Sequence, residues 1–357
     1  MLEPRDETEL AEMIRSARGP LAVRGGGTRG VLARGEVLST AGLRGVVLHE
    51  PAALTLVVRA GTPLAEVEAV LAGARQRLGF EPMDHRVLLG TSGEPTIGGV
   101  AAANVSGPRR VQGGAARDAM LGVRFVDGTG MVVANGGRVM KNVTGYDLVK
   151  LVAGSRGTLG VLTEIAFKVQ AMPEAEATVV VGGLADRAAV ALLARALGSP
   201  FDVSGAAHVG GETLVRVEGM AGSVAYRAEA LRKLLGGEVV TGAESAARWR
   251  KVRDVAVFAS AEGAVWRVSV KPSDGPEVAA ALPGARAAYD WGGGLVWLLV
   301  PEGVDVRGAV ARFGGHATCV RGTGPAGPDE PTGVAAITAG LRAKFDPRGI
   351  LNPGLMD

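Results

Sequence analysis

Residues 22–30 read AVRGGGTRG, a short apolar strand that runs into three consecutive glycines flanked by Arg24 and Arg29. Glycine inside an ordered element costs roughly 0.5–1 kcal/mol relative to alanine, so three in a row signal that the backbone itself is needed at close quarters. Two further segments share this texture, GTSGEPTIGGVAAANVSGPRR (90–110) and GYDLVKLVAGSRGTLGVLTEIAFKV (145–169). With no Cβ in the way, main-chain N–H groups converge on one point and form a nest for phosphate oxygens. Thr96 adds a helix start whose positive end favours an anion. One glycine cluster alone reads as a tight turn; three separated clusters read as one cradle for a ligand.

Gly25, Gly27 and Gly30 satisfy the bare G-x-G-x-x-G spacing, but VLARGEVLST follows. It has neither a helical period nor an acidic residue about 20 positions on after a second strand, so a Rossmann site is not expected. The length of 357 residues favours two domains, and a 47% hydrophobic content excludes a disordered chain. No stretch approaches the ~18 consecutive apolar residues of a membrane span. The 39 basic and 36 acidic residues are well mixed and aromatic residues are few, which leaves no footprint for nucleic acid. The single cysteine, Cys319, rules out an intrachain disulfide and falls short of the roughly four ligands of an iron–sulfur cluster. Histidines at 49, 85, 208 and 316 never fall at metal-ligand spacing, so no metal is expected. The N-terminus, MLEPRDETEL, is acidic where a signal peptide is basic, and the chain is expected in the cytoplasm.

Asp6 and Glu9 form a capping pair ahead of a first helix of about 12 residues. The runs PLAVRG, GVVLHE and LTLVVRAG read as strands, Thr62 as the cap of a helix with Pro63 at its first position, and LGVRFV-DGTG-MVVAN as a hairpin. From about residue 176 glycine punctuation gives way to plain alternation. The order is strand 178–182, helix 185–197, strand 204–209, strand 213–218, helix 221–235 and strand 238–241. It recurs as strand 264–270, helix 275–282, strand 285–290, strand 294–300, helix 305–313 and strand 316–321. Two tandem β-α-β-β-α-β units predict an antiparallel sheet with helices on one face and an overall α+β class. A Pro/Gly loop at 322–331 and a helix over 332–345 lead to the turn-like tail FDPRGILNPG.

On a helix, RWRKVRD (248–254) places Arg250 and Arg253 on one side and Trp249 and Val252 on another, a solvated face rather than an anion patch. VWRVSV (265–270) alternates as a strand, with Trp266 and Val268 on one face and Arg267 and Ser269 on the other. Cys319 reads as a small buried residue, and Lys141 and Asn142 receive no role.

Together the glycine segments resemble the PCMH-type (vanillyl-alcohol-oxidase-like) FAD-binding family. The resemblance implies that Arg24, Gly25, Gly26, Gly27, Thr28 and Arg29 wrap the FAD pyrophosphate. It implies that Thr96, Ile97, Gly98, Gly99, Asn104, Ser106 and Gly107 line the flavin, with Gly90, Thr91, Pro95 and Ala102 also binding the cofactor. It further implies that the loop from Gly154 to Glu164, with Gly157, Thr158, Gly160 and Val161, holds the adenosine and ribityl part, and that LNPG brings Asn352 toward the isoalloxazine. Within that family the strings EPRDETELAE, LGFEPMDHR and GGRVMKNVTGYDLVKLVAGSRGTLGVLTE resemble most closely the glycolate oxidase E subunits. This implies a PCMH-type FAD-binding domain over 1–175, a cap of two tandem ferredoxin-like units over 176–325, and a C-terminal helix and tail over 326–357 returning to the first domain. It also implies FAD as cofactor, a small 2-hydroxy acid as substrate, and a related FAD-containing subunit and an iron–sulfur subunit as partners, through which the chain would lie peripherally at the inner membrane.

Covalent relatives carry a histidine in the first glycine loop where this chain has Thr28, so dissociable FAD is expected. Relatives that oxidise 2-hydroxy acids unaided carry a histidine-rich C-terminal motif, whereas His208 and His316 are isolated here, so oxidation by this chain alone is not expected. The resemblance places His85, beside Asp84, near the flavin as the candidate base, with Arg267 as the candidate holder of a carboxylate and Arg117 and Asp118 as a brace under the flavin loop. Two alternatives stay open: a self-sufficient FAD-dependent D-lactate or alditol dehydrogenase, and a flavin-bound structural subunit without turnover.

Overall fold

The first helix, Glu7–Ser16, is held at its start as the sequence predicts: the Asp6 carboxylate accepts from Glu9 N, and the Glu9 carboxylate accepts from Arg5 N, both at 2.9 Å. The structure, a computed structural model, describes residues 1–30, 33–139, 145–327 and 330–356. Lys141 and Asn142 lie outside the described residues.

The first half contains strands β1 (Leu21–Arg24), β2 (Glu36–Ser39), β3 (Val46–Glu50), β4 (Thr55–Arg59), β5 (Gln76–Arg77), β6 (Met120–Val126), β7 (Val132–Gly136), β8 (Val161–Lys168) and β9 (Gln170–Ala171). β1 and β2 pair in parallel, and β3-β4-β8-β6-β7 form an antiparallel sheet in that order. Its core gathers Leu56, Val58, Phe125, Ile165 and Phe167 from the strands with Val67, Leu71, Ile97 and Ala101 from the helices above them. The DGTG turn of the β6–β7 hairpin closes on Asp127, whose carboxylate accepts from Thr129 N and Met131 N. Thr62 does not cap the helix Leu64–Gly73. Its hydroxyl accepts from Gly45 N and donates to Arg59 O, so the neighbouring strand turn has taken it, and the helix opens after Pro63.

In the second half, β10 (Ala175–Gly182), β11 (Gly205–Val209), β12 (Glu212–Gly219) and β13 (Glu238–Thr241) enclose helices Asp186–Leu197 and Ala221–Leu235. Strands β14 (Ala264–Ser269), β15 (Arg286–Asp290), β16 (Leu295–Val300) and β17 (His316–Arg321) enclose helices Gly275–Ala280 and Val306–Ala311. The eight strands form one antiparallel sheet ordered β13-β10-β12-β11-β15-β16-β14-β17. Each repeat therefore has the 4-1-3-2 strand order of a split βαβ unit, and the two join where His208 faces Tyr289. The repeat helices cover one face, with Leu193 and Leu231 on Val179 and Val217, and Val278 and Val310 on Trp266 and Leu298.

The opposite face is divided. A further helix, Gly242–Arg253, lays Trp249 and Val252 on Val180, Leu214 and Val240, with Arg250 and Lys251 in solvent. Beyond it, Val265, Trp297 and Leu299 of the second repeat pack on Met83 and Leu88 of the first half. This contact carries Arg267, whose side chain alternates to the same face, toward the first half. The helix Thr332–Phe345 has no buried residue, and the tail after it returns to pack Ile350 and Leu351 beside Leu10, Ile14 and Leu21. No helix of the described residues is long and apolar enough to cross a membrane.

Candidate functional site

β1 delivers the chain into the Arg24–Gly30 loop, which forms one wall of a cleft of about 1050 Å³. The cleft is open along one side, and that volume includes its solvent-filled mouth. Arg24, Gly25, Gly26, Gly27, Thr28 and Arg29 all line it, together with Pro95, Thr96, Gly98, Gly99 and Ala102, with Gly157, Gly160 and Val161, and with Asn352. The backbone N–H groups of Gly25, Gly26, Gly27 and Thr28 donate to no acceptor among the described residues. Four successive donors at the wall of the cleft are thus left without a protein partner, the condition that a phosphate-binding nest requires.

The glycines also have a packing reason. A Cβ at Gly25 would collide with the Thr96 hydroxyl and one at Gly26 with the Glu94 carbonyl, so the first two glycine segments touch backbone to backbone. Thr91 secures the same loop by donating to Thr28 O at 2.6 Å.

The helix start at Thr96 departs from its reading as an anion site. Helix Ile97–Ala102 is short, and its leading donors are spent within the protein: Ile97 N on Thr62 O, Gly98 N on Ala60 O and Gly99 N on the Thr96 hydroxyl. Several other residues expected at the cofactor are not among those that line the cleft. Ile97 is fully buried in the core, and Gly90 ends the helix His85–Leu89 in a left-handed conformation. Asn104 Oδ1 accepts from Arg117 N and Ser106 Oγ from Ala116 N, so both hold the turn that precedes β6. Gly107 lies against Glu81 O, Gly154 N bonds Ala101 O, and the Thr158 hydroxyl donates to Ser155 O. Arg117 and Asp118 are half exposed and 3.6 Å apart; they brace the turn through Arg117 N and through the Asp118 carboxylate on Ala115 N.

Asn352 reaches the cleft, but its amide is committed to the protein. Its Oδ1 accepts from Val23 N at 2.6 Å and its Nδ2 donates to Arg156 O at 2.8 Å, so it pins β1 to the loop at 154–160.

The charges explain the rest of the site. Arg29, Arg156 and Arg267 stand close enough to repel one another, and none has a carboxylate partner among the described residues. Burial first, and then the neighbouring guanidiniums Arg156 and Arg267, bring Arg29 down to about 9. Burial and then Arg110 and Arg156 bring Arg267 down to about 10. The Nε of Arg29 is buried with no hydrogen-bond partner among the described residues. Arg156 spends one N–H on Ala326 O. His85 lines the cleft beside them; burial and the Arg29 charge push it down to about 3, which keeps its imidazole neutral. Arg267 does not line the cleft itself but is coupled to Arg29, His85 and Arg156, which do. Buried cations without counter-ions are costly, so this end of the cleft is built for an anion. Sequence reading missed Arg156 and Arg110, although the arginine inside GSRGT was a visible departure in a run of small residues.

Among the described residues no group of His, Cys, Asp and Glu is arranged to hold a metal ion. The open nest, the orphaned Arg29 Nε and the long cleft fit a dinucleotide diphosphate with a ring system beyond it.

Comparison with known proteins agrees with this geometry. An FAD binding domain family matches residues 1–136. Glycolate oxidase subunit GlcE of Escherichia coli (strain K12) is 37% identical over 97% of this chain and 96% of its own. Glycolate oxidase subunit GlcD of Bacillus subtilis (strain 168) is 41% identical over 23% of this chain and 18% of its own. The D-2-hydroxyglutarate dehydrogenase of Rattus norvegicus is 31% identical over 49% and 33%. A solved alkyldihydroxyacetonephosphate synthase covers 98% of this chain with 76% of its own at a TM-score of 0.70 and 16% identity, which speaks to the fold alone. With near-complete coverage by the first of these relatives, the chain belongs to the FAD-binding oxidoreductase family of glycolate oxidase E subunits.

Proposed function

We propose that this chain is the FAD-binding subunit of a glycolate (2-hydroxy acid) oxidase complex, and that it passes electrons through non-covalent FAD to a partner subunit. The observation that carries the reading is one cleft in which the unpartnered N–H groups of Gly25–Thr28 stand beside Arg29 and Arg156, which, like the coupled Arg267, have no carboxylate partner among the described residues. The nest at Gly25–Thr28 holds the diphosphate. Arg29, Arg156 and Arg267 hold a carboxylate, and neutral His85 accepts the hydroxyl proton of the substrate. FAD, when bound, supplies the two-electron acceptor. Thr28 stands where a histidyl link would need an imidazole, so the flavin dissociates on acid precipitation.

The cap thus contributes a cation to a site that the absent histidine-rich motif left without an obvious base or anchor. An alditol has no carboxylate and would leave these charges unmatched, which disfavours the alditol alternative. One cysteine cannot ligate an iron–sulfur cluster, so onward transfer calls for a second protein. A related FAD-containing subunit and an iron–sulfur subunit suit that role, in the cytoplasm or at the inner membrane surface.

The test is anaerobic addition of glycolate, D-lactate and xylitol to the purified FAD-loaded chain, followed by the oxidised flavin band. Bleaching by the hydroxy acids, its loss in Arg267→Gln, and no response to xylitol are expected. Such bleaching would reverse the expectation from the sequence that this chain does not oxidise a hydroxy acid unaided, because the cleft supplies a base and an anchor that the sequence did not show. A band that persists with all three donors would reduce the flavin to a structural or relay role.

A further inference from the structure

Trp291 stands where the two halves meet. Its Nε1 donates to Gly107 O of the first half at 3.0 Å. Its ring carries two guanidiniums, that of Arg110 from the first half at 4.5 Å and that of Arg267 from the cap at 5.2 Å. The turn after β15 presents the ring. Trp291 N donates to the Asp290 carboxylate at 2.7 Å, and the Trp291 backbone is left-handed with φ of 53°, a region that costs a bulky residue on the order of 1–3 kcal/mol. Neither the Arg110 nor the Arg267 guanidinium makes a hydrogen bond or an ion pair with any described residue.

The same molecule contains the contrasting case. Arg216 lies over the Trp249 ring at 4.6 Å, but Glu81 and Glu218 also bind it, and they outweigh burial and raise its pKa. Arg267 has the aromatic support without the carboxylates, and its pKa falls. Among the described residues Asp290 is the acid that acts on Arg267, from beyond ion-pair distance, and burial lifts that carboxyl to about 7, which weakens its charge. A carboxylate that fixed Arg267 would neutralise it and occupy its N–H edge. An aromatic face fixes a cation by about 0.5–2 kcal/mol and leaves every N–H free.

We propose that Trp291 is a positioning residue for the anion site: its ring holds Arg110 and Arg267, one from each half, oriented but not neutralised, so that the carboxylate of a small 2-hydroxy acid completes them. This rests on the carboxylate reading of the cleft given above. It explains why a strained tryptophan occupies the turn, and it makes ligand binding a contact that spans both halves.

The test uses oxalate as the probe, titrated calorimetrically into the FAD-loaded full chain and its Trp291→Phe, Trp291→Leu and Arg267→Gln variants. Both Trp291 variants lose the bond to Gly107 O and keep an unbranched Cβ on the same left-handed backbone, so their difference isolates the ring. The Leu variant should bind oxalate about tenfold more weakly than the Phe variant, the scale of two cation–ring contacts. Phe should stay within about threefold of the unmodified chain. If Arg267→Gln weakens oxalate binding while Phe and Leu bind alike, the carboxylate reading stands and the role of Trp291 is overturned. If Arg267→Gln leaves binding unchanged, the carboxylate reading fails and the proposal falls with it.

Discussion

Arg216 of the cap and Glu81 of the first half meet across the boundary through two hydrogen bonds, Nη1 to Oε1 at 2.9 Å and Nη2 to Oε2 at 2.8 Å, with the arginine fully buried. Arg109 and Glu218 complete the lattice at 2.9 and 3.0 Å, and Arg77 closes it on Glu218. The relation fixes the height of the cap, and Arg267 with it, over the cleft.

Removing one partner of such a pair leaves its charge buried and uncompensated. Glu81→Gln should destabilise the protein by about 3–5 kcal/mol, read from denaturant unfolding. Burial alone would raise the Glu81 pKa, but Arg216 and Arg109 bring it below the ordinary carboxylate value, and Glu218 is depressed in the same way. Their contribution is therefore present above the unfolded carboxylate range near pH 4 and is lost as pH falls through the folded values. The acid limb of the stability curve should be shallower in Glu81→Gln than in the unmodified chain.

His85 gives a second pH signature at a different place. Its folded value is about 3 against 6.5 for the free side chain. Between those limits the unfolded chain holds a proton that the folded chain does not, so stability rises with pH across that window and is level above it. His85→Gln should flatten the slope between pH 6.5 and 3, measured by thermal melting, while leaving stability above pH 7 nearly unchanged. An equal slope in both proteins would mean that the imidazole is solvated or paired with an acid.

Much of this architecture was legible because it is periodic. The doubled strand–helix order after residue 176 and the alternation of Trp266, Arg267 and Val268 follow from side-chain period alone, and the structure repeats them nearly residue for residue. The glycine runs pointed to a backbone site, since a residue without a Cβ lets adjacent N–H groups turn toward one ligand unobstructed. Hidden were the meetings that only tertiary pairing creates. Trp291 and Gly107 are 184 positions apart, and nothing local distinguishes this tryptophan from a core one. The Thr62 hydroxyl was equally available to a helix or to a strand turn. Asn352 lines the cleft, but its partners Val23 and Arg156 come from opposite ends of the first half, a meeting that no local pattern announces.

Gly98 and Gly99 separate the packing use of glycine from its ligand use. A Cβ at Gly98 would sit 2.6 Å from the Ala60 carbonyl oxygen and against the Ala60 methyl, with no room for either to move. At Gly99 the nearest atom is the Thr96 hydroxyl at 3.2 Å, a side chain able to yield, and the residue lines the cleft. Gly98→Ala should lower stability by about 1–3 kcal/mol through overpacking. Gly99→Ala should stay within about 1 kcal/mol, because the helical gain over glycine offsets the crowding. It should nevertheless weaken FAD binding severalfold, read as the bound flavin absorbance during titration. Undiminished FAD affinity in Gly99→Ala would move the flavin away from this wall.

Asn352 offers a final test, because two effects at that site oppose each other. The residue is almost fully buried, its backbone is left-handed with φ of 48°, and its amide joins Val23 N to Arg156 O. Asn352→Ala leaves a buried donor and a buried acceptor unpaired, a loss of about 1–3 kcal/mol, and places a Cβ residue without local polar compensation in the left-handed region. Asn352→Gly loses the same bonds but relaxes the backbone, so it should be more stable than Asn352→Ala by about 1 kcal/mol. Both variants should bind FAD more weakly and to a similar degree, because both release β1 and the Arg24–Gly30 loop from the Arg156 segment. Thermal melting and flavin titration on the pair separate the two contributions: equal melting temperatures would deny the backbone term, and unimpaired FAD binding would show that the nest is held without the amide bridge.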